Sequence, residues 1–280
     1  MSDRVTCTIS GGVADVRLNR PDKLNALDVA TFRALVEAGE ALKADRSVRA
    51  VVLSGEGRAF CAGLDFAAFQ SMADSSADKG AGQGAGRGES DGARIADLAG
   101  REGRITNLGQ QACYVWTELP VPVIAAIHGH ALGGGLQVAL GADIRIVAPD
   151  ARLSVLEVRW GLIPDMTGTQ VLPGLVGRDV AKELTFTGRT VTGEEAVRLG
   201  LATRSAEHPR DEAFALAREI AAKSPDAIRG AKDLLNLAGH VSLAEGFQAE
   251  ERTIRSLIGS PNQVEAIMAY FEKREPRFTD

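Results

Sequence analysis

The sequence predicts an α/β fold with an all-helical C-terminal part, and three observations carry that expectation. Short β-branched runs recur through the first 150 residues, separated by stretches long enough to be helical connections. From about residue 190 the pattern turns helical, with well-marked helix starts. At 280 residues, with 45% hydrophobic and 25% charged residues, the chain has an ordinary globular composition and the length for a large core. We divide it into an α/β body over 1–200 and a helical region over 201–280.

The elements follow in order. "RVTCTI" and "VADVRL" alternate in the strand manner around Ser10-Gly11-Gly12, the signature of a hairpin. Asp28 then caps a helix of about four turns through Lys43, with Phe32, Leu35, Val36 and Leu42 as its buried stripe. "VRAVVLSG" (48–55), "VPVIAAIHG" (121–129) and "ADIRIVA" (142–148) read as buried strands. Residues 73–104 interrupt the pattern with a run of Gly, Ala and Ser that has almost nothing to bury until Ile95, the composition of a flexible insertion; a lid over a site is compatible with it. Later, "TGEE" (192–195) and "SLAE" (242–245) fit the capping box, while "SPNQ" (260–263) and Ser224-Pro225 place proline at a first helical position. Helices are expected near 193–199, 209–222, 225–238, 242–258 and 261–274.

Several functions are disfavoured at this stage. A net charge of −5 gives no electrostatic reason to expect nucleic acid. No apolar run reaches the length of a membrane span, and "MSDRVTCTIS" lacks the charged-then-apolar pattern of a secretory signal. Cys7, Cys61 and Cys113 are odd in number and have no CxxC spacing, so reduced thiols in a cytoplasmic protein are expected. The four histidines lack metal-ligand spacing, and no metal site is expected.

Two Gly-containing turns each follow a strand and precede a helical pattern: "GRAFCAGLDF" (57–66) and "HGHALGGGLQVALGAD" (128–143). Main-chain N–H groups at a helix start have no partner within the helix. Two such turns facing each other could clamp one oxygen from both sides, as an oxyanion hole does. The plainer reading of each turn is a packing device. Neither turn carries GxxxxGK[ST] or GxGxxG, which excludes two phosphate-binding patterns.

Taken together, "LNRPDKLNALD" (18–28), "GEGRAFCAGLDF" (55–66), "HGHALGGGLQVALGADIRI" (128–146), "SVLEVRWGLIPDMTGTQVLPGLVG" (154–177) and "FTGRTVTGEEAVRLGLA" (186–202) closely resemble the crotonase (enoyl-CoA hydratase/isomerase) superfamily in content, order and spacing. The resemblance implies a spiral of ββα units with a helical C-terminal trimerisation region, assembled as a homotrimer or a dimer of trimers. It implies an acyl-CoA thioester as substrate, with coenzyme A entering as part of that substrate and no separate cofactor.

The resemblance also implies roles for individual residues. The main-chain N–H groups of Leu64 and Gly134 would hold the thioester oxygen and stabilise an enolate. Lys23, Leu24 and Ala26 would line the CoA site, and Ala62 with Asp65 would surround its adenine end. Tyr270 and Lys273 in "AYFEKR" match a C-terminal pattern that reaches CoA from a neighbouring subunit. Glu157 stands at the position of a proton-transfer carboxylate, with Leu156, Val158 and Trp160 nearby to desolvate it.

At the position of the second glutamate of family hydratases this chain has Gln137, which can orient a water but cannot take its proton. Asp165, eight residues after Glu157, corresponds to an aspartate of dienoyl-CoA isomerases; beside Glu157 it would raise one carboxyl pKa by like-charge repulsion. One carboxylate and an oxyanion hole suffice for enoyl-CoA double-bond isomerisation, the favoured reaction. Hydration of 2-enoyl-CoA, with Gln137 holding the water, and non-catalytic acyl-CoA binding are the alternatives. His128 and His130 are expected to pack or hydrogen-bond, Cys61 to be no nucleophile, and Trp116 and Trp160 to belong to the core or the acyl-pocket wall.

Overall fold

The computed structural model describes residues 3–65, 98, 100, 101 and 103–280. Most of the expected insertion at 73–104, and with it any lid, lies outside the described residues. Strand β1 (Val5–Ser10) turns back antiparallel on β2 (Val13–Leu18), as the hairpin reading expects. β2 then runs parallel to β3 (Ala50–Gly55), β3 to β4 (Val123–Ile127), and β4 to β6 (Ile144–Val147). Two-residue β9 (Arg204–Ser205) closes the far edge, giving the order β1-β2-β3-β4-β6-β9.

The central strands are buried on both faces, and their alternation divides the interior in two. Val51 and Leu53 point into the larger core, with Phe32, Leu35 and Trp116; Ala50 and Val52 point into a smaller one. The larger core is covered by α1 (Val29–Ala44) and α2 (Leu108–Glu118). Asp28 caps α1 by accepting the Thr31 N–H at 2.7 Å, and the four residues named for its apolar stripe are all buried. The α2 start carries a capping box between Asn107 and Gln110.

Strand β5 (His130–Leu132) follows β4, and α3 (Gly134–Leu140) follows β5. β5 pairs parallel with β7 (Arg152–Ser154), and β7 antiparallel with β8 (Thr190–Thr192), in a small second sheet that the sequence reading did not separate out. Between them lie a 3₁₀ turn at Glu157–Trp160 and helices α4 (Gly168–Val176) and α5 (Arg178–Thr187), also unforeseen. The tail comprises α6 (Gly193–Leu199), α7 (Pro209–Ala221), α8 (Pro225–Leu237), α9 (Leu243–Leu257) and α10 (Pro261–Glu272), close to the five expected helices.

β9 and α7 lie past residue 200 yet belong to the sheet layer. Ala213, Ala217 and Ala221 of α7 pack on Val52, Ile124 and Ile146. α8 is tied down by Lys232, whose buried ammonium donates to Asp143, Trp116 O and Val121 O. All three cysteines are free thiols, Cys61 and Cys113 buried. Among the described residues no helix is long and apolar enough to cross a membrane.

Candidate active site

Because β2, β3 and β4 run parallel, the loops that follow them leave the same edge of the sheet. In open sheets such edges, at the carboxyl ends of the strands, are where ligands bind. The first loop turns sharply through a 3₁₀ turn at Pro21–Lys23, then passes Leu24 and Asn25 in the left-handed region, at φ 50° and 58°. Asn25 stabilises that conformation with its side chain. It accepts the Arg20 N–H at 2.8 Å and donates to Glu56 O at 2.9 Å and Ala59 O at 2.8 Å.

The second loop, 56–65, is held from both sides. Leu64 lies in a parallel bridge with Leu27: the Leu27 N–H donates to Gly63 O at 2.7 Å, and the Asp65 N–H to Leu27 O at 2.9 Å. In that geometry the N–H of Leu64 itself points away from Leu27. On the other side, Cys61 bridges Ala131, with its N–H on His130 O at 2.8 Å and its carbonyl receiving the Leu132 N–H at 3.0 Å. A Cβ placed on Gly63 would lie 3.9 Å from Gly134 N, so the two glycine turns stand side by side.

The three glycines of the second turn do different work. Gly133, at φ 51° and ψ −123°, caps α3 in a conformation that L side chains rarely adopt. A Cβ on Gly135 would come within 2.5 Å of Cys61 O, so here the missing side chain lets helix and loop touch. Gly134, first residue of α3, lines the cavity together with Leu64.

That cavity has a volume of about 520 Å³. Leu27, Phe32, Leu98, Leu156 and Met166 make most of its wall, with Trp160 and Ile163 on its solvent side. Trp116, the other tryptophan, is fully buried in the core instead.

Glu157 begins the 3₁₀ turn and extends over the glycine turn, with Oε1 3.4 Å from where a Gly133 Cβ would be. Oε1 accepts the side-chain amide of Gln137 at 2.6 Å; Oε2 is buried and, among the described residues, has no hydrogen-bond partner. Burial pushes the carboxyl above its ordinary value, opposed by nearby main-chain N–H groups and by Gln137 and reinforced by the charge of Asp165. Asp165 lines the same cavity from an exposed position.

Gln137 is itself buried, and its oxygen accepts the N–H groups of Met166 and Gly168, each at 2.9 Å. Those two bonds straddle Thr167, a β-branched residue at φ 81°, a strained conformation of the kind that persists only where its surroundings enforce it. Three of the four hydrogen-bonding positions of its amide are thus taken by protein groups, so Gln137 braces Glu157 and keeps one N–H of its amide for a further acceptor such as a water.

The remaining expected site residues are placed as follows. Ala62 lines the cavity and is joined to the first loop by its N–H on Leu24 O at 2.9 Å. Lys23, Leu24, Ala26 and Asp65 are not part of the cavity wall. The Asp65 carboxylate pairs with Arg20 at 2.9 Å. Tyr270 and Lys273 stand exposed at the end of α10, outside the wall, with Tyr270 edge-on to Phe271. His128 donates Nε2–H to Gly57 O, 2.9 Å away, and Cys61 donates its thiol to Asn25 O, with burial pushing its pKa up to about 12. Arg20 and Asn25 were missed; the turn chemistry of Asn25 after Pro-Asp-Lys-Leu was the one available signal. Among the described residues no cluster of three or more side chains suited to a metal ion exists.

Comparison with known proteins agrees with this architecture. The family model for enoyl-CoA hydratase/isomerase matches residues 13–279. Mouse mitochondrial methylglutaconyl-CoA hydratase is 34% identical over 95% of this chain and 79% of its own length. Bovine mitochondrial enoyl-CoA hydratase domain-containing protein 2 is 33% identical over 97% of this chain and 87% of its own. The crystal structure of enoyl-CoA hydratase from Bacillus anthracis superposes with a TM-score of 0.83 at 30% identity, covering 98% of both chains. With its ββα body, its paired glycine turns and a match along nearly its whole length, the chain belongs to the enoyl-CoA hydratase/isomerase family.

Proposed function

We propose that the protein moves a double bond in an enoyl-CoA thioester by single-carboxylate proton transfer. The observation that carries this reading is that the side chain bonded to Glu157 is a neutral amide, Gln137: this leaves Glu157, with Oε2 buried and unpartnered among the described residues, as the largely buried carboxylate of the cavity. In a 3-enoyl thioester, Glu157 takes a proton from C2 and returns it at C4. Between the two steps, charge rests on the thioester oxygen, held by the main-chain N–H groups of Leu64 and Gly134. A donor pair of this kind stabilises the enolate more than the ground-state carbonyl, and the loss of one donor typically costs about 2.7–4 kcal/mol. The pantetheine and nucleotide arm of CoA leaves along Ala62 toward Lys23, Leu24 and Ala26.

Hydration of 2-enoyl-CoA is the second reading, and the names of the relatives favour it. It requires Asp165, the other acidic group among the described residues of the cavity wall, to do what Gln137 cannot. Incubating the pure protein with 2-enoyl-CoA and 3-enoyl-CoA separates these readings. Unchanged mass with a shifted retention time marks isomerisation, a gain of one water marks hydration, and tight binding without product marks a binding protein.

Assembly into trimers, through which Tyr270 and Lys273 would meet a neighbour's CoA, is part of the same proposal. The exposed apolar residues Leu243, Phe247 and Ile254 along α9, with Ile258 just past its end, support it.

A further inference from the structure

The Leu64 amide is held by more than its own loop. The guanidinium of Arg20, largely buried, donates through Nη1 to Ala26 O at 2.6 Å and through Nη2 to Asp65 Oδ2 at 2.9 Å. Ala26 precedes Leu27 and Asp65 follows Leu64, so one planar group spans both strands of the Leu27–Leu64 bridge. The main-chain N–H of Arg20 is fixed in turn by Asn25, whose amide reaches Glu56 and Ala59 at the start of the second loop. Arg20 also lies 3.4 Å from Asp28, the cap of α1, which pairs with Arg4 as well.

We propose that Arg20 and Asp65 form a clasp that keeps the Leu64 N–H aligned with the Gly134 N–H, making both positioning residues of the oxyanion hole rather than contacts for CoA. This rests on the reading of those two amides as thioester ligands. A paired, forked guanidinium suits the task, because it fixes two acceptors at once in a plane and a lysine cannot. Displacing a reacting group by about 1 Å can cost on the order of 100-fold in rate, so a loosened bridge is expected to affect turnover before binding.

The test compares wild type with D65A, R20A, R20K and the R20A/D65A double variant. Three quantities are read: kcat and KM for an enoyl-CoA, the Kd of coenzyme A alone, and the infrared carbonyl band of a bound ¹³C-labelled acyl-CoA. The clasp predicts that D65A lowers kcat about tenfold or more, with KM and the CoA Kd changed less than about threefold. It also predicts that the bound carbonyl band moves back toward that of the free thioester, that R20K fails to restore it, and that the double variant is no worse than the poorer single one. Should D65A not fold, D65N, which keeps an acceptor but not the charge, shifts kcat and the band in the same direction by less. A rise in KM and Kd with kcat and band unchanged overturns the clasp and returns Asp65 to CoA binding. A wild-type band already at the free-thioester position overturns the oxyanion reading and the clasp together.

Discussion

The side-chain amide of Gln137 donates to Glu157 at 2.6 Å while its oxygen receives Met166 N–H and Gly168 N–H, each at 2.9 Å. One neutral residue thereby joins α3, the acid and the loop that carries Asp165. Replacing it with leucine removes a bond that holds the Glu157 carboxyl pKa down and leaves two main-chain N–H groups short of an acceptor. Q137L is expected to shift the acid limb of the kcat/KM profile to higher pH and to lower the thermal midpoint. Q137E restores an acceptor but sets two carboxyls against each other, so they titrate as a pair with a raised apparent pKa. With a second acid in place, water addition to 2-enoyl-CoA should increase relative to wild type, read as product of one water greater mass.

Glu157→Gln should abolish proton transfer while sparing the fold. General acid–base groups contribute roughly 10²–10⁴-fold, so kcat is expected to fall by at least that range, and exchange of the C2 proton of acyl-CoA with deuterated water, followed by NMR, should stop. Stability gives an independent reading. Burial raises the Glu157 carboxyl above its ordinary 4.5, so the folded protein binds this proton more tightly than the unfolded chain. The contribution is fully present below the ordinary value and is lost as pH rises through the raised one. Urea midpoints should lose that component of pH dependence in E157Q; an unchanged slope would show that the side chain is not desolvated.

Asp165 and Glu157 line one cavity, and the charge of Asp165 raises the Glu157 carboxyl. D165N removes that repulsion, so the acid limb of kcat/KM should move to lower pH. If Asp165 instead supplies the second acid for hydration, D165N should abolish water addition and leave isomerisation intact.

Gly135 and Gly63 both stand where a side chain meets main chain. A Gly135 Cβ would lie 2.5 Å from Cys61 O, and a Gly63 Cβ, at φ 93°, 2.7 Å from Leu132 O. Overpacking of this kind costs about 1–3 kcal/mol or more, and G135A and G63A should each lower the chemical-denaturation midpoint accordingly. Activity should fall further than stability accounts for, since both changes part the two glycine turns. An active, fully stable G63A would show that the turns need not stay in contact.

Among the described residues, the cavity wall carries the two carboxyl groups of Glu157 and Asp165. An acyl group ending in a carboxylate would enter against like charge. Thioesters with uncharged hydrocarbon acyl groups should therefore show the higher kcat/KM, even though some relatives at about a third identity are named for methylglutaconyl-CoA, and competition kinetics between matched pairs would measure the preference.

What the sequence determined by itself was whatever a few consecutive residues decide. The hairpin at Gly11-Gly12, the cap at Asp28, the capping box at Ser242 and the proline starts of the late helices are local events, and their elements formed within a residue or two of where they were read. The glycine turns and Glu157 were legible for a related reason, as motifs whose content and spacing resemble a known family. The structure alone decided how residues 20 to 45 positions apart share hydrogen bonds: Gln137 with Glu157, Arg20 with Asp65, and Asn25 with Ala59. A buried amide or guanidinium must satisfy all its donors and acceptors with whatever main chain folding brings near it. Those partners are absent from the local pattern, and so the bonds from Gln137 to Glu157, Met166 and Gly168 appear only once the chain is folded.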